Sequence, residues 1–365
     1  MDVCQHEPGS FASGQTHQED PATEQALPNA VPQPDAAPEE DIDEGRAAYR
    51  PGGFHSVYIG DVFDERWKVL NKIGYGRYST VWLVRDLQAS AAYYGPGKET
   101  FEMDILTHLR DGDKSHPGYP FVCHLLHDFQ HQGPNGTHKC FVFELMGETL
   151  RSFGTLFREN MIPEPVMRKF IIQLLVALDF AHDHSVVHTD IKPDNIFVKF
   201  HVTRVIEFDV ALGDWGRTTL RSPEVLIGAH WDASTDWWNL GAVVLEVYRA
   251  VRMFDGRGPP DGRYYVKEHL FEIVDLFGPF PKSFLDKGNQ ELVHDLFDNE
   301  GRIKDHEPFT RPGLSSEAFM LGLSQEQRDD CASFLKFLMK IDPAERPSTT
   351  DLLRHPWLNA LPPAK

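Results

Sequence analysis

Apolar and polar positions along this chain follow two different periods, and the change between them divides it. Residues 67–73 (Trp-Lys-Val-Leu-Asn-Lys-Ile) and 80–85 (Thr-Val-Trp-Leu-Val-Arg) are rich in β-branched and aromatic side chains and predict two strands of a hairpin. Residues 122–129 and 139–145 predict two more. Between these pairs, Phe101, Ile105 and Leu109 recur at helical spacing and predict a helix over 99–109. After Gly147 the longer period takes over. Over 165–182, Val166, Phe170, Ile171, Leu174, Leu175, Leu178 and Ala181 share one wide face, as a core helix requires. Trp237, Leu240, Val243, Val244 and Val247 predict a deeply buried helix over 236–250. Further helices are expected over 266–277, 326–339 and 349–353. No internal repeat is visible. The expected fold class is α+β in two lobes, a β-rich one over 49–146 and an α-rich one over 147–360, and ligand sites favour the cleft between such lobes.

Residues 1–48 follow neither period. They are rich in Pro, Gln, Glu, Asp and Ala, with no Lys or Arg before Arg46. Such a segment buries too little apolar surface to offset its ordering entropy. It is predicted to be a disordered acidic tail, with order beginning near Tyr49 to Tyr58.

Charge and cysteines narrow the function classes. The 36 Lys and Arg against 55 Asp and Glu leave a formal charge of −19. Direct nucleic-acid binding is disfavoured and a basic partner is favoured, although solubility alone gives the same composition. The four cysteines, Cys4, Cys123, Cys140 and Cys331, match no zinc or disulfide spacing, which suits a reducing compartment. No apolar run is long enough to span a bilayer, and no secretory signal is visible.

Three stretches carry chemistry. Ile73-Gly74-Tyr75-Gly76-Arg77-Tyr78-Ser79-Thr80-Val81 places a glycine-rich turn between two predicted strands. Its glycines permit close backbone approach, and its amides can meet phosphate oxygens. A plain hairpin reads the same way. His188-Thr189-Asp190-Ile191-Lys192-Pro193-Asp194-Asn195 is far more specific. It fits H-x-D-x-K-x-x-N, with Thr189 where Arg is common. Asp190 can accept a hydroxyl proton, Lys192 can neutralise phosphate charge, and Asn195 can hold a magnesium ion. Phosphoryl transfer needs little beyond positioning, a metal and charge stabilisation. Leu212-Gly213-Asp214-Trp215-Gly216 follows an apolar stretch over 205–212 and is a D-F-G variant whose Asp214 is a second candidate magnesium ligand. Downstream, Ser222-Pro223-Glu224 stands in the place of A-P-E, with Arg346 as a candidate partner for Glu224.

In this order the motifs resemble a eukaryotic protein kinase over about 58–358. Tyr49-Arg50-Pro51-Gly52-Gly53-Phe54-His55, Tyr75-Gly76-Arg77-Tyr78-Ser79-Thr80-Val81-Trp82-Leu83, Arg221-Ser222-Pro223-Glu224-Val225-Leu226-Ile227-Gly228 and Asp236-Trp237-Trp238-Asn239-Leu240-Gly241 sharpen the likeness. Together they are similar to the SR-protein kinase family in its filamentous-fungal form. The resemblance implies a two-lobed protein-kinase-like fold, ATP and Mg2+ as cofactors, and phosphorylation of serines in Arg/Ser-rich proteins. It implies Asp190 as catalytic base, Lys192 as its phosphate partner, and Asn195 and Asp214 as metal ligands. Ile73, Gly74, Gly76, Tyr78, Ser79 and Val81 would cover the nucleotide. Glu144, Leu145 and Met146 would form the hinge that meets adenine, with Phe143 as gatekeeper, and Asp236 would brace the catalytic loop. A monomer acting in cytoplasm and nucleus, with basic protein substrates and no direct nucleic-acid or membrane contact, is the matching expectation.

Two departures stand beside this likeness. No A-x-K strand follows Arg85, so the third strand of the first lobe and its phosphate-binding lysine are expected to be missing. Lys98 and Arg85 are the nearest substitutes, and Asp104 or Glu102 stands where a helix glutamate pairs with that lysine. The route from Gly216 to Ser222 is also too short for a full activation segment. An active serine/threonine kinase is the leading reading. A pseudokinase, or a truncated gene model that keeps the fold, is the alternative.

Overall fold

The computed structural model describes residues 44–76, 79–86, 90–96, 102–202, 206–215, 222–249, 254, 256–257, 262–305 and 313–362. Most of the expected acidic tail, 1–43, therefore lies outside the described residues. Its last part does not behave as a tail. The described residues begin at Glu44, whose carboxylate accepts from the Tyr49 hydroxyl and from Lys72, and Arg46–Ala48 forms a single 3-10 turn.

Six strands make one antiparallel sheet. They are β1 (Val62–Phe63), β2 (Trp67–Tyr75), β3 (Thr80–Asp86), β4 (Ser90–Pro96), β5 (Leu125–Gly133) and β6 (Gly136–Phe143), in the order β1-β2-β3-β4-β6-β5. Alternation along β2, β3 and β6 sends Trp67, Val69, Trp82, Val84, Cys140 and Val142 to one face. Val57, from the segment that leads into the sheet, and Phe63 of β1 pack on that face and close a small core. The same segment reaches the β5–β6 turn, where Gly52 N–H donates to the Asn135 carbonyl and the Asn135 side chain donates to the Phe54 carbonyl.

The expectation of a missing third strand is corrected. Ser90–Pro96 pairs with β3 on one side, Val81 opposite Tyr93, and with β6 on the other, Tyr93 opposite Phe141. What the strand lacks is a lysine, since its sequence is Ser-Ala-Ala-Tyr-Tyr-Gly-Pro. The physical reason lies in its neighbours. Without β4, the facing edges of β3 and β6 would leave rows of peptide groups unpaired inside the sheet, a cost that outweighs a weak local strand preference.

The rest is mainly helical. α1 (Glu102–Arg110) follows β4, and α2 (Leu150–Gly154) opens the second lobe with Thr149 as its N-cap. The two longest helices among the described residues are α3 (Glu164–Asp183) and α5 (Thr235–Arg249). On α3, Phe170, Ile171, Leu174, Leu175, Leu178 and Ala181 are all 0% exposed, as the periodicity predicts. Each large side chain among them contributes on the order of 2 kcal/mol by leaving water. A ribbon of β7 (Ile196–Val202) and β8 (Ile206–Leu212) lies against α3, and α4 (Pro223–Leu226), α6 (Val266–Phe277), α7 (Lys282–Leu285), α8 (Gln290–Leu296), α9 (Gln325–Leu338) and α10 (Thr349–Arg354) complete the chain. Among the described residues no helix is long and apolar enough to cross a membrane.

Candidate active site

The end of α3 sets up the chemistry. Ser185 takes a left-handed conformation (φ 58°), its N–H donates to the His182 carbonyl, and Val186 N–H reaches back to Ala181. This Schellman arrangement satisfies the last helical carbonyls and turns the chain sharply into 188–195. There Asp236, in the first turn of α5 and 0% exposed, gathers three donors. His188 N–H and Thr189 N–H reach its two oxygens at 2.8 and 2.9 Å, and His182 Nε2 lies 2.9 Å from Oδ2. A buried carboxylate with charge-assisted bonds of this length makes a rigid mooring for the loop. His188 is itself fully buried. Its Nε2 donates to the Gly213 carbonyl at 2.8 Å while Nδ1 accepts from Asp190 N–H at 3.3 Å, and burial pushes its pKa below the ordinary imidazole value. The neutral ring thus ties Asp190 to the Asp214 segment.

Asp190 is 6% exposed. Lys192 Nζ donates to its Oδ2 at 2.7 Å, and the Asn195 amide donates to its Oδ2 at 3.1 Å and to its carbonyl at 2.9 Å. The 3-10 turn Pro193–Asn195 makes this bite possible by folding Asn195 back over the loop. Gly213 N–H donates to the Asn195 carbonyl at 3.0 Å, so Asp214 begins where Asn195 ends. A side chain at position 213 would sit 2.9 Å from the Phe197 ring and 3.2 Å from the Cys123 Cβ, so glycine alone lets the two segments close. Trp215 is 1% exposed, packs on His188 with ring centroids 4.5 Å apart and the planes inclined at 54°, and donates to the Leu212 carbonyl at 3.1 Å.

The same geometry brings Glu224 and Arg346 together across 122 residues. Two parallel bonds of 2.7 Å join them, both side chains are 0% exposed, and Arg346 also donates to the Ser234 and Lys340 carbonyls. Comparison with known proteins places this arrangement. The protein kinase domain family matches residues 67–358. The chain belongs to that family. It is 31% identical to a serine/threonine protein kinase of Aspergillus fumigatus, with 87% of this chain and 91% of the relative aligned. It is 26% identical to the serine/threonine-protein kinase SRPK of Physarum polycephalum, over 88% of this chain and 92% of that one. A crystal structure of a kinase domain superposes with a TM-score of 0.66, covering 83% of this chain and 98% of the other at 21% identity, a likeness of fold. The protein is a serine/threonine protein kinase that resembles the SR-protein kinases.

The kinase brings its predicted site residues together unevenly. Asp190, Lys192, Asn195 and Asp214 converge as described. Ile73, Gly74, Gly76, Ser79 and Val81 lie on the β2–β3 turn, where Gly74 pairs with Val81 and Gly76 N–H donates to the Ser79 carbonyl at 2.7 Å. Ile73 is 59% exposed, Ser79 is buried, and Tyr78 lies outside the described residues. Phe143 ends β6, and Glu144, Leu145 and Met146 form the linker to α2. The Glu144 carboxylate is taken by Lys199 Nζ at 2.6 Å, which leaves its backbone rather than its side chain to meet a ligand. Of the substitutes for the missing lysine, Lys98 lies outside the described residues and Arg85 is exposed on β3, as is Asp104 on α1. Residues 216–221 lie outside them too.

Sequence reasoning missed two anchors of the kinase. His182 holds Asp236, and Arg151 on α2 clasps Asp194 of the 188–195 loop through bonds of 2.8 and 2.9 Å. Both pairs are separated by more than forty residues, and nothing in local spacing signals them.

Proposed function

We propose that this kinase transfers the γ-phosphate of ATP to serines in Arg/Ser-rich proteins, with Asp190, Lys192, Asn195 and Asp214 as its working groups. The observation that carries the reading is the Asp190 carboxylate, fixed by Lys192 and Asn195 on a loop moored to Asp236. The donor set suits magnesium. Asn195 commits its amide nitrogen to Asp190, so its Oδ1 and the Asp214 carboxylate would hold the ion, hard oxygens of the kind magnesium prefers. When bound, the ion neutralises charge on the phosphates.

Asp190 orients the substrate serine and accepts its proton as the serine oxygen attacks the γ-phosphorus. The new O–P bond forms while the bond to the β–γ bridging oxygen breaks and ADP leaves. Lys192, already beside Asp190, offers positive charge to the transferring oxygens. Ile73, Gly74, Gly76, Tyr78, Ser79 and Val81 cover the nucleotide, and the backbone of Glu144 and Met146 receives the adenine. The overall charge of −19 favours basic substrates, with cytoplasm and nucleus as the place of action.

Incubating the full chain with Mg-ATP and an Arg/Ser-repeat peptide tests this. Phosphoserine is expected from the wild type and not from Asp190→Ala. Equal rates for the two proteins would overturn the assignment of Asp190. Equal phosphorylation of an acidic Ser peptide would overturn the substrate class.

A further inference from the structure

Short ties join the linker after β6 to the strand that follows Asn195. Gly147 N–H donates to the Val198 carbonyl and Val198 N–H to the Glu148 carbonyl, both at 2.8 Å, and Thr149 pairs with Phe197. These backbone contacts hold β7 from Phe197 onward and stop short of the Pro193–Asn195 turn. At the turn a side chain takes over. Arg151 donates through Nε and Nη2 to the two Asp194 oxygens at 2.8 and 2.9 Å, and Glu246 on α5 lies 3.6 Å from the same Nη2. A planar fork on a carboxylate fixes direction as well as distance.

Both ends of this clasp are well placed. Arg151 rides on α2 between Leu150 and Phe153, each 1% exposed, and the Phe153 ring meets Phe208 edge-on at 5.2 Å. Asp194 follows Pro193, whose ring restricts φ at the start of the turn. The next residue, Asn195, is 4% exposed and donates to the Asp190 carbonyl and Oδ2. Consecutive residues of a three-residue turn do not move independently. The clasp on Asp194 is thus one peptide unit from the amide that steadies Asp190.

We propose that Arg151 is a positioning residue for phosphoryl transfer, whose grip on Asp194 sets the 193–195 turn and, through it, the Asn195 amide on the Asp190 carboxylate. This role rests on Asp190 acting as the base proposed above. Stability does not account for the pair. The Arg151 and Asp194 side chains are 51% and 46% exposed, and ion pairs so open to water add little to a fold. Placement does: displacement of a working group by an ångström costs up to about 100-fold in rate.

Two carboxylates around one guanidinium also describe a pocket for an arginine of the substrate, with Arg151 as a stopper. The two roles differ in sign. Removing a stopper opens Asp194 to the peptide and tightens its binding. Removing a positioning residue leaves peptide binding alone and slows turnover.

The test uses Arg151→Leu, Arg151→Lys and Asp194→Asn in the full chain, with Arg302→Leu, which removes an exposed pair with Glu300, as the charge control. In ligand-free protein, hydrogen exchange over 190–198 is expected to quicken by about fivefold in Arg151→Leu and Asp194→Asn, with the urea midpoint unchanged. On an Arg/Ser-repeat peptide, kcat is expected to fall by about 10- to 100-fold with the peptide KM within about twofold of wild type. Arg151→Lys should recover only part of kcat, since an ammonium keeps the charge and loses the fork. The double variant Arg151→Leu with Asp194→Asn should be no worse than either alone, and Arg302→Leu should match the wild type. Wild-type exchange rates in both Arg151→Leu and Asp194→Asn would overturn the proposal. A lower peptide KM at full kcat would overturn it in favour of the arginine pocket. The exchange measurement needs no turnover: a wild type that leaves the peptide unphosphorylated sinks the function proposed above, and the hold of Arg151 on the turn is still decided by exchange.

Discussion

The two lobes are held in different ways. On the C-terminal side, side chains do the holding: Asp236 takes two backbone amides and His182, His188 bridges Asp190 to Gly213, and Lys192 and Asn195 close on Asp190. On the N-terminal side, backbone does it. β4 is kept in the sheet by pairing to β3 and β6 and has no lysine, and the glycine turn closes through a peptide hydrogen bond. A side-chain network holds the Asp190 carboxylate in one place. A backbone frame holds the strands in register, and its β4 carries no lysine. The second lobe is thus organised by its side chains and the first by its sheet.

That contrast can be broken experimentally. The largest effect belongs to Asp190→Ala, expected to lower kcat by about 10³-fold or more with little change in ATP affinity. A matching loss of ATP binding by calorimetry would mean that the two sides are not separable. Next comes Arg346→Leu. It strands the Glu224 carboxylate at 0% exposure, and breaking a buried pair this way costs about 3–5 kcal/mol, read from urea unfolding. A cost below about 1 kcal/mol would show that water reaches Glu224.

Smaller effects sharpen the picture of the first lobe. Gly133→Ala should drive a methyl into His55 and destabilise by about 1–3 kcal/mol, detected as an earlier thermal transition with the second-lobe contacts unchanged. The pH response is smaller still. His55, His131 and His138 have folded-state pKa values below the unfolded value near 6.5, so between that value and about 4 the unfolded chain binds more protons. Stability is full above about pH 6.5 and declines as pH falls, by on the order of 1 kcal/mol after allowing for solvent screening. A midpoint in urea that stays level from pH 7 to 5 would remove the neutral-histidine account.

Legibility in the sequence followed the range of each interaction. The loop at 188–195 and the apolar face of α3 are local, and both were visible. Asp236 and the Glu224–Arg346 pair were readable only because motifs marked each member separately. β4 was not readable: Ala-Ala-Tyr-Tyr has no alternation, and its strand state is imposed from both sides. Arg151 with Asp194, His182 with Asp236, and the three histidines join distant positions whose neighbours carry no matching signal.

Trp215 has an effect on populations. Swinging outward would cost its indole the bond to the Leu212 carbonyl and the contact with His188, neither of which a bare phenyl ring could hold as firmly. A hydrogen bond worth about 1 kcal/mol biases such an equilibrium roughly fivefold. The segment bearing Asp214 is thereby weighted toward its inward state before any nucleotide arrives.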